Sequence, residues 1–360
     1  MKFEFRSRLS ATVLSACGAA ILAAGASAQR GTAVYELTFQ STWSAQTHPI
    51  DFPSFPHYSS LIGATHDATV SFWDSGSIAS PGIEAMAERG ATSTLTAEVN
   101  QAIQKGAANR VVTGPGLGVS PGSTKTRITI DATHPRLTLV TMLAPSPDWF
   151  VGVSGLDLTK NGQWIDQITV PLHVYDAGTD SGPTYTSPDM DTQPREKIAI
   201  ITTKSGPFLN APTIVGSFVI RRLAETRVYG CGVNPMGSFE VTGMPILGQS
   251  VRFTVDDPLR SISSGSIPLL LFAANATAQY PCGISVAGLG LGPIGSKGEV
   301  LIGAPLLTVV GQPWRTSPVP FDVPIPTQAM LVGARAYVQG LFVDGSRLAV
   351  TDAATVLIGN

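Results

Sequence analysis

Apolar and polar positions alternate along most of this chain, in short runs. Tyr35, Leu37 and Phe39 are separated by Glu36 and Thr38. Ile168, Val170, Leu172 and Val174 are separated by Thr169, Pro171 and His173. A period of two over four to eight residues marks a half-buried strand. Residues 136–143 and 197–202 are short and rich in β-formers, and also read as strands. One stretch has a different period. Ile83, Met86 and Ala87, then Leu95, Val99 and Ile103, recur at threes and fours. Pro81 suits a helix start and Gly90 a helix stop. The pattern predicts one or two short helices set into a β-sandwich. Residues 105–125, rich in Gly, Pro, Ser and Thr, read as an exposed loop. Further on, 267–272, 300–302, 304–310 and 348–358 are apolar runs divided by Gly and Pro, which read as a second, smaller sandwich.

Composition agrees with an all-β chain. Only 13% of residues are charged, against roughly 25% in ordinary globular proteins, and there are 37 Gly and 27 Pro. With 43% apolar residues the chain can bury a core. It is neither disordered nor a charged helical bundle. The 360 residues exceed the ~100–200 usual for one domain. All five His and four of the five Trp lie before residue 223, and Cys231 and Cys282 after it. That shift predicts domains at 30–222 and 224–360. The net charge of −2, from 25 acids and 23 bases, gives no basic field, which disfavours nucleic acid or an anionic membrane as partner.

Residues 1–28 read as a cleaved secretory signal. Lys2, Arg6 and Arg8 precede an apolar Ala-rich run, which closes on Ala26-Ser27-Ala28. Leu14-Ser15-Ala16-Cys17 has the look of a lipidation site, but the apolar run continues past it. The expected location is extracellular or at the cell surface, with no transmembrane segment after cleavage. Outside the cytoplasm, the two remaining cysteines are expected to pair, Cys231 with Cys282.

The chemical feature is a set of carboxylates in turns. Asp176 and Asp180 are four apart around Gly178, directly after the 168–174 strand. Gly permits a left-handed turn that aims both carboxylates at one point. Asp148 sits in the stiff Pro145-Ser146-Pro147-Asp148-Trp149 turn. Ca²⁺ takes six to eight oxygens from such loops. Asp157, Asp189 and Asp191 are reserve ligands. The plain alternative is that Asp and Gly only make turns here. His48, His57, His66, His134 and His173 show no tight zinc spacing. Gly290, Gly292 and Gly295 match a dinucleotide fingerprint literally, but Pro293 inside it argues for a loop. Glu84 and Glu88, one helical turn apart, read as a solvated face. Asn275-Ala276-Thr277 fits a glycosylation acceptor.

Several ordered blocks resemble the spondin domain of F-spondin and mindin. They include Tyr35-Glu-Leu-Thr-Phe39, Thr42-Trp-Ser44, Thr47-His48-Pro49, His57-Tyr-Ser59 and Leu61-Ile-Gly-Ala-Thr-His66. Ser146-Pro-Asp-Trp-Phe150, Asp176-Ala-Gly-Thr-Asp-Ser-Gly182 and Thr186-Ser-Pro188 complete them. The likeness covers about residues 30–222. It implies an eight-stranded antiparallel sandwich related to C2 domains, with Ca²⁺ at one end held by Asp148, Asp176 and Asp180. It also implies a matrix or adhesion module without catalysis, whose partner is an extracellular or cell-surface protein or glycan. The histidines fall within the family's own pattern. The chain departs from animal members in having no cysteine in this part and no following thrombospondin-type module. Residues 224–360 resemble a Gly/Pro-rich module of secreted bacterial proteins. The alternative function is an extracellular metal-assisted hydrolase of polysaccharide or ester, for which no nucleophile–base constellation is legible.

Overall fold

The structure, a computed structural model, describes residues 30–202 and 206–360. The expected signal at 1–28 lies outside the described residues. The first part has eight strands of four residues or more: β1 (Arg30–Ser41), β2 (Leu61–His66), β3 (Ala108–Gly114), β4 (Gly122–Asp131), β5 (Arg136–Ala144), β6 (Trp149–Asp157), β7 (Gln167–Asp176) and β8 (Ile214–Tyr229). Helices α1 (Pro81–Arg89) and α2 (Ser93–Gln104) lie between β2 and β3. All ladders between these strands are antiparallel. One layer runs β4–β1–β8–β7 and the other β3–β2–β5–β6. Beyond a register shift at Leu172/His173, β7 leaves β8, and its last three residues pair with β6. It therefore belongs to both layers and ends at Asp176.

The period-two code sorts side chains into two cores. On β5, Leu137, Leu139 and Leu143 face the other sheet, where Leu37, Phe39, Phe218 and Ile220 meet them. The intervening Val140, Met142 and Ala144 face the helices, against Ile83, Met86, Leu95 and Val99. A strand buried on both faces reads as a near-continuous apolar run, which is how residues 136–143 look. Helix α1 begins with Pro81 in its first turn. It is capped by the Ser80 hydroxyl, which accepts from Ile83 N at 3.2 Å, and it stops on left-handed Gly90.

The 105–125 loop expectation is corrected. Residues 108–114 form β3, pairing with β2, and 122–131 form β4. Of the glycines that looked like punctuation, Gly116 permits a close approach. A Cβ on Gly116 would stand 2.5 Å from the Tyr58 carbonyl. Only 115–121 connects the two strands.

The second part contains β9 (Phe239–Thr242), β10 (Ser250–Val255), β11 (Ile267–Ala273), β12 (Ile284–Ala287), β13 (Lys297–Val300), β14 (Leu307–Val310), β15 (Val319–Pro324), β16 (Arg335–Asp344) and β17 (Arg347–Leu357). Sheet β9–β10–β15 packs on β14–β11–β16–β17 around Phe239, Phe253, Phe321, Trp314 and Phe342. Gly290–Gly295 lies in the connection between β12 and β13, with no helix after it.

Strand β8 crosses residues 222–224 without a break. Both its edges are used. β1 runs along one edge, while the other pairs with β7 up to Arg221 and with β17 from Glu225 onward. Between these partners Leu223 is bulged out opposite Val34/Tyr35. The cysteines form the Cys231–Cys282 disulfide, with Cα atoms 5.1 Å apart. Buried Glu299 accepts from Cys231 N at 2.9 Å and Gly283 N at 2.7 Å, and so fixes both sides of the bridge. Such a bridge belongs to an oxidising compartment outside the cytoplasm. Among the described residues no helix is long and apolar enough to cross a membrane.

Candidate metal centre

Three carboxylates gather where β5 and β7 end and β6 begins. The β5–β6 turn delivers Asp148, which is fully buried. Its Oδ2 accepts from Thr179 N at 2.7 Å, Asp180 N at 3.1 Å and the Thr179 hydroxyl at 3.3 Å. Its Oδ1 has no partner. Burial, and next the charge of Asp176, push the Asp148 carboxyl up to about 7. An acid placed this way prefers to be neutral or to share a cation.

Asp176 ends β7. Its Oδ1 accepts from Gly178 N at 2.8 Å. Burial raises its pKa foremost, and the charges of Glu196 and Asp180 add to this. Hydrogen bonds from Gly178 and Trp149 work the other way. Gly178 has φ +74°, and a Cβ there would stand 2.4 Å from the Glu196 carbonyl. No other residue fits this turn without strain. Asp180 Oδ1 accepts from Gly182 N at 2.7 Å, while its own N–H holds Asp148. The loop then folds back on itself, with Ser181 N donating to Met190 O at 3.0 Å and Thr192 N to Thr179 O at 2.9 Å. Asp176, Asp180 and Glu196 line a cleft of about 460 Å³ whose floor includes Trp149 and Phe208; Lys197 also borders it.

The donor set suits a hard cation: carboxylate oxygens, one of them orphaned and buried. Oxygens facing each other across Ca²⁺ stand roughly 5 Å apart, twice the ~2.4 Å bond. Among the described residues, the ligand-type trio with donor atoms all within 4.8 Å of one another is Cys231, Cys282 and Glu299, whose sulfurs are spent in the disulfide. The three aspartates are thus more open than a closed shell.

Of the reserve ligands, Asp157 falls elsewhere, while Asp191 pairs backbone-to-backbone with Asp180 and Asp189 lies beside it, both with exposed side chains. Asp157 ends β6 at the far side, holding Thr159 N at 2.8 Å in a local turn. Asp191 is exposed, accepts from Gln193 at 2.8 Å and faces Arg195 at 3.7 Å. Asp189 is exposed and borders a neighbouring cleft on the other side of Asp180. Glu196 is the site residue that sequence reasoning missed, because no spacing rule links it to Asp176. The histidines do not converge. His48 contacts Thr47 and the Pro212 carbonyl, His66 the Asp67 carbonyl and Thr138, and His134 pairs with Asp131. Burial lowers the pKa of His48 and His66. Glu84 is tied to Arg195 at 2.6 Å and Glu88 to Arg89 at 2.5 Å.

Comparison with known proteins bears on this geometry. The Spondin_N family profile matches residues 33–212, half of the chain. The chain belongs to the spondin N-terminal domain family. Its sequence is 36% identical to Spondin-2 of Rattus norvegicus over 180 residues, 49% of this chain and 54% of that protein. It is 36% identical to Spondin-2 of Homo sapiens over 182 residues, with the same coverage. It is 37% identical to Spondin-1 of Homo sapiens over 211 residues, 54% of this chain and 26% of that protein. The chain thus spans about half the length of the Spondin-2 proteins and a quarter of Spondin-1. The spondin match contains Asp148, Asp176 and Asp180, and ends before β8.

Proposed function

We propose that the spondin-type sandwich is a calcium-dependent extracellular binding module, of adhesion or matrix type. The observation that carries this is buried Asp148, with an orphaned oxygen beside two further carboxylates at the rim of a cleft. Asp148, Asp176 and Asp180 would hold the ion, and Ca²⁺ would cancel their repulsion and tie the β5–β6 turn to the loop after β7. A position left open on the ion would accept an anionic oxygen from a partner.

The surrounding surface supports a partner at this end. His57, two residues after Phe55, pairs with Ala144 beside the Asp148 turn. Ser120 N donates to the Pro56 carbonyl at 2.8 Å, which brings Val119 to the same end. Phe55 is 71% exposed and Val119 64%, and Ile200 borders the cleft. Apolar side chains around a charged site favour an extracellular or cell-surface protein over a plain glycan.

The test is thermal unfolding of the mature chain with Ca²⁺, Mg²⁺ or chelator, beside the Asp176→Ala/Asp180→Ala variant. A calcium-specific rise in Tm, lost in the variant, supports the site. No rise in the parent overturns it. Retention on cells or matrix that is unchanged by chelation overturns the calcium-dependent partner while leaving the ion in place.

A further inference from the structure

Positive charge is in excess in one small pocket at the seam between the two sandwiches. The pocket measures about 100 Å³. That is room for about three waters at ~30 Å³ each, and its wall is almost wholly polar. Strand β8 supplies Arg222, Glu225 and Arg227, β16 supplies Arg335, Asp166 precedes β7, and Tyr280 follows β11.

Arg222 is nearly buried, its side chain 6% exposed. It donates to the Trp164 carbonyl at 3.0 Å and to Glu225 and Asp166. Its Nε has no acceptor. Arg335 reaches Glu225 at 3.7 Å. Arg227 meets the Tyr280 hydroxyl at 3.5 Å, and its Nε is also buried without an acceptor. Among the described residues Arg227 has no carboxylate partner. Three guanidiniums face two carboxylates, which leaves one positive charge unanswered; the two Nε atoms themselves are shut off from solvent and are not offered to the pocket. Arg227 is half-buried and Arg335 exposed, so the surplus charge lies where an anion from solvent can reach it, and guanidinium–oxyanion bonds are strong ones.

We propose that this seam pocket binds one sulfate-type oxyanion carrying a single negative charge. A sulfate monoester matches the surplus charge, and its three terminal oxygens suit donors that converge from several elements. Arginine forks and a tyrosine hydroxyl are the groups that hold such an anion. Asp166 is the built-in competitor. Its side chain is 87% exposed, yet it occupies Arg222 from the solvent side. The chemistry fits either a free sulfate ester or a sulfated sugar of a glycan.

The test is thermal unfolding of the full mature chain against sodium methyl sulfate, with sodium chloride at equal ionic strength as reference. The parent is expected to rise saturably above the chloride curve. Arg227→Gln removes one charged donor and is expected to weaken apparent affinity by about tenfold. Asp166→Asn removes the competitor and is expected to tighten it by several-fold. Should Arg227→Gln fail to fold, the more exposed Arg335→Gln serves in its place. Identical shifts in parent and variants, or no excess over chloride, would overturn the proposal. A sulfated disaccharide that binds more tightly than methyl sulfate identifies the source as a glycan; equal affinities identify the free ester.

Discussion

Replacing Asp148 by Asn is expected to stabilise the calcium-free protein and to remove its response to calcium. Asp148 titrates at about 7 in the fold, against 3.8 for an ordinary aspartate. That gap of about three pH units, at 1.36 kcal/mol each, makes ionisation of Asp148 oppose folding by about 4 kcal/mol. The sign follows from the proton count. Between these values the folded chain keeps a proton that the unfolded chain has lost, so stability falls as pH rises. The favourable contribution of the protonated form is whole below about pH 4 and is gone once pH has passed about 7. Asn keeps an oxygen to accept from Thr179 and Asp180 and carries no charge to be desolvated. In chelator near pH 8, Asp148→Asn should exceed the parent by up to about 4 kcal/mol. Near pH 4 the two should converge. With calcium the order should reverse, because only the parent offers an anionic oxygen to the ion. Urea unfolding followed by tryptophan fluorescence measures this directly, since Trp149 adjoins the site. A variant that is no more stable in chelator near pH 8 would show that ionised Asp148 is not penalised. Equal calcium stabilisation of both chains would place the ion elsewhere.

Further expectations concern the same loops and the rest of the fold. Gly178→Ala forces a side chain into a φ of +74° against the Glu196 carbonyl; urea unfolding should show a loss of at least about 1–3 kcal/mol. Asp157→Ala, at the opposite end of β6, should leave the calcium-induced rise in Tm unchanged, whereas Asp180→Ala should abolish it. Leu139→Ala opens a cavity between the two sheets and should destabilise by about 3–4 kcal/mol in the same assay. Cys231→Ser/Cys282→Ser removes a bridge across 51 residues of sequence; on the chain-entropy estimate the loss is about 4 kcal/mol, read as a fall in urea midpoint.

Legibility in the sequence followed the range of the interaction. Strand β1 was readable because its alternation needs only that one side of the sheet be wet. Helix α1 was readable because Pro81 and Gly90 act within their own turn. Residues 108–114 were misread because the strand they pair with, 61–66, lies far away in sequence. Gly116, in the connection that follows, is small because the Tyr58 carbonyl presses on it, again a contact from far away in sequence. The same limit governs the site. Asp176 and Asp180 announce themselves through Gly178, and Asp148 through its prolines and the family resemblance. Glu196 enters because its carbonyl packs on Gly178 and its N–H donates to the Gly178 carbonyl at 2.9 Å. Asp157 had the right chemistry at the wrong end of a nine-residue strand.

The near-zero net charge illustrates what composition can and cannot decide. Twenty-five acids against 23 bases exclude a long-range basic field, and that argument constrains encounter with polyanions at a distance. At physiological salt, however, charges are screened beyond about 8 Å. Strand β7 separates two local imbalances of opposite sign. It begins beside Asp166, next to the seam where arginines exceed acids, and ends at Asp176, where acids exceed bases. Its ten residues set these sites about 30 Å apart at ~3.3 Å per residue. At that distance neither can serve as the other's counterion. Each is expected to be balanced locally, by the proposed cation at one end and the proposed oxyanion at the other. Two opposite deficits cancel in the sum over the sequence but not in space. A chain that looks electrostatically bland can therefore carry two charged binding sites at once, and salt should weaken both together while chelation should affect only the acidic one.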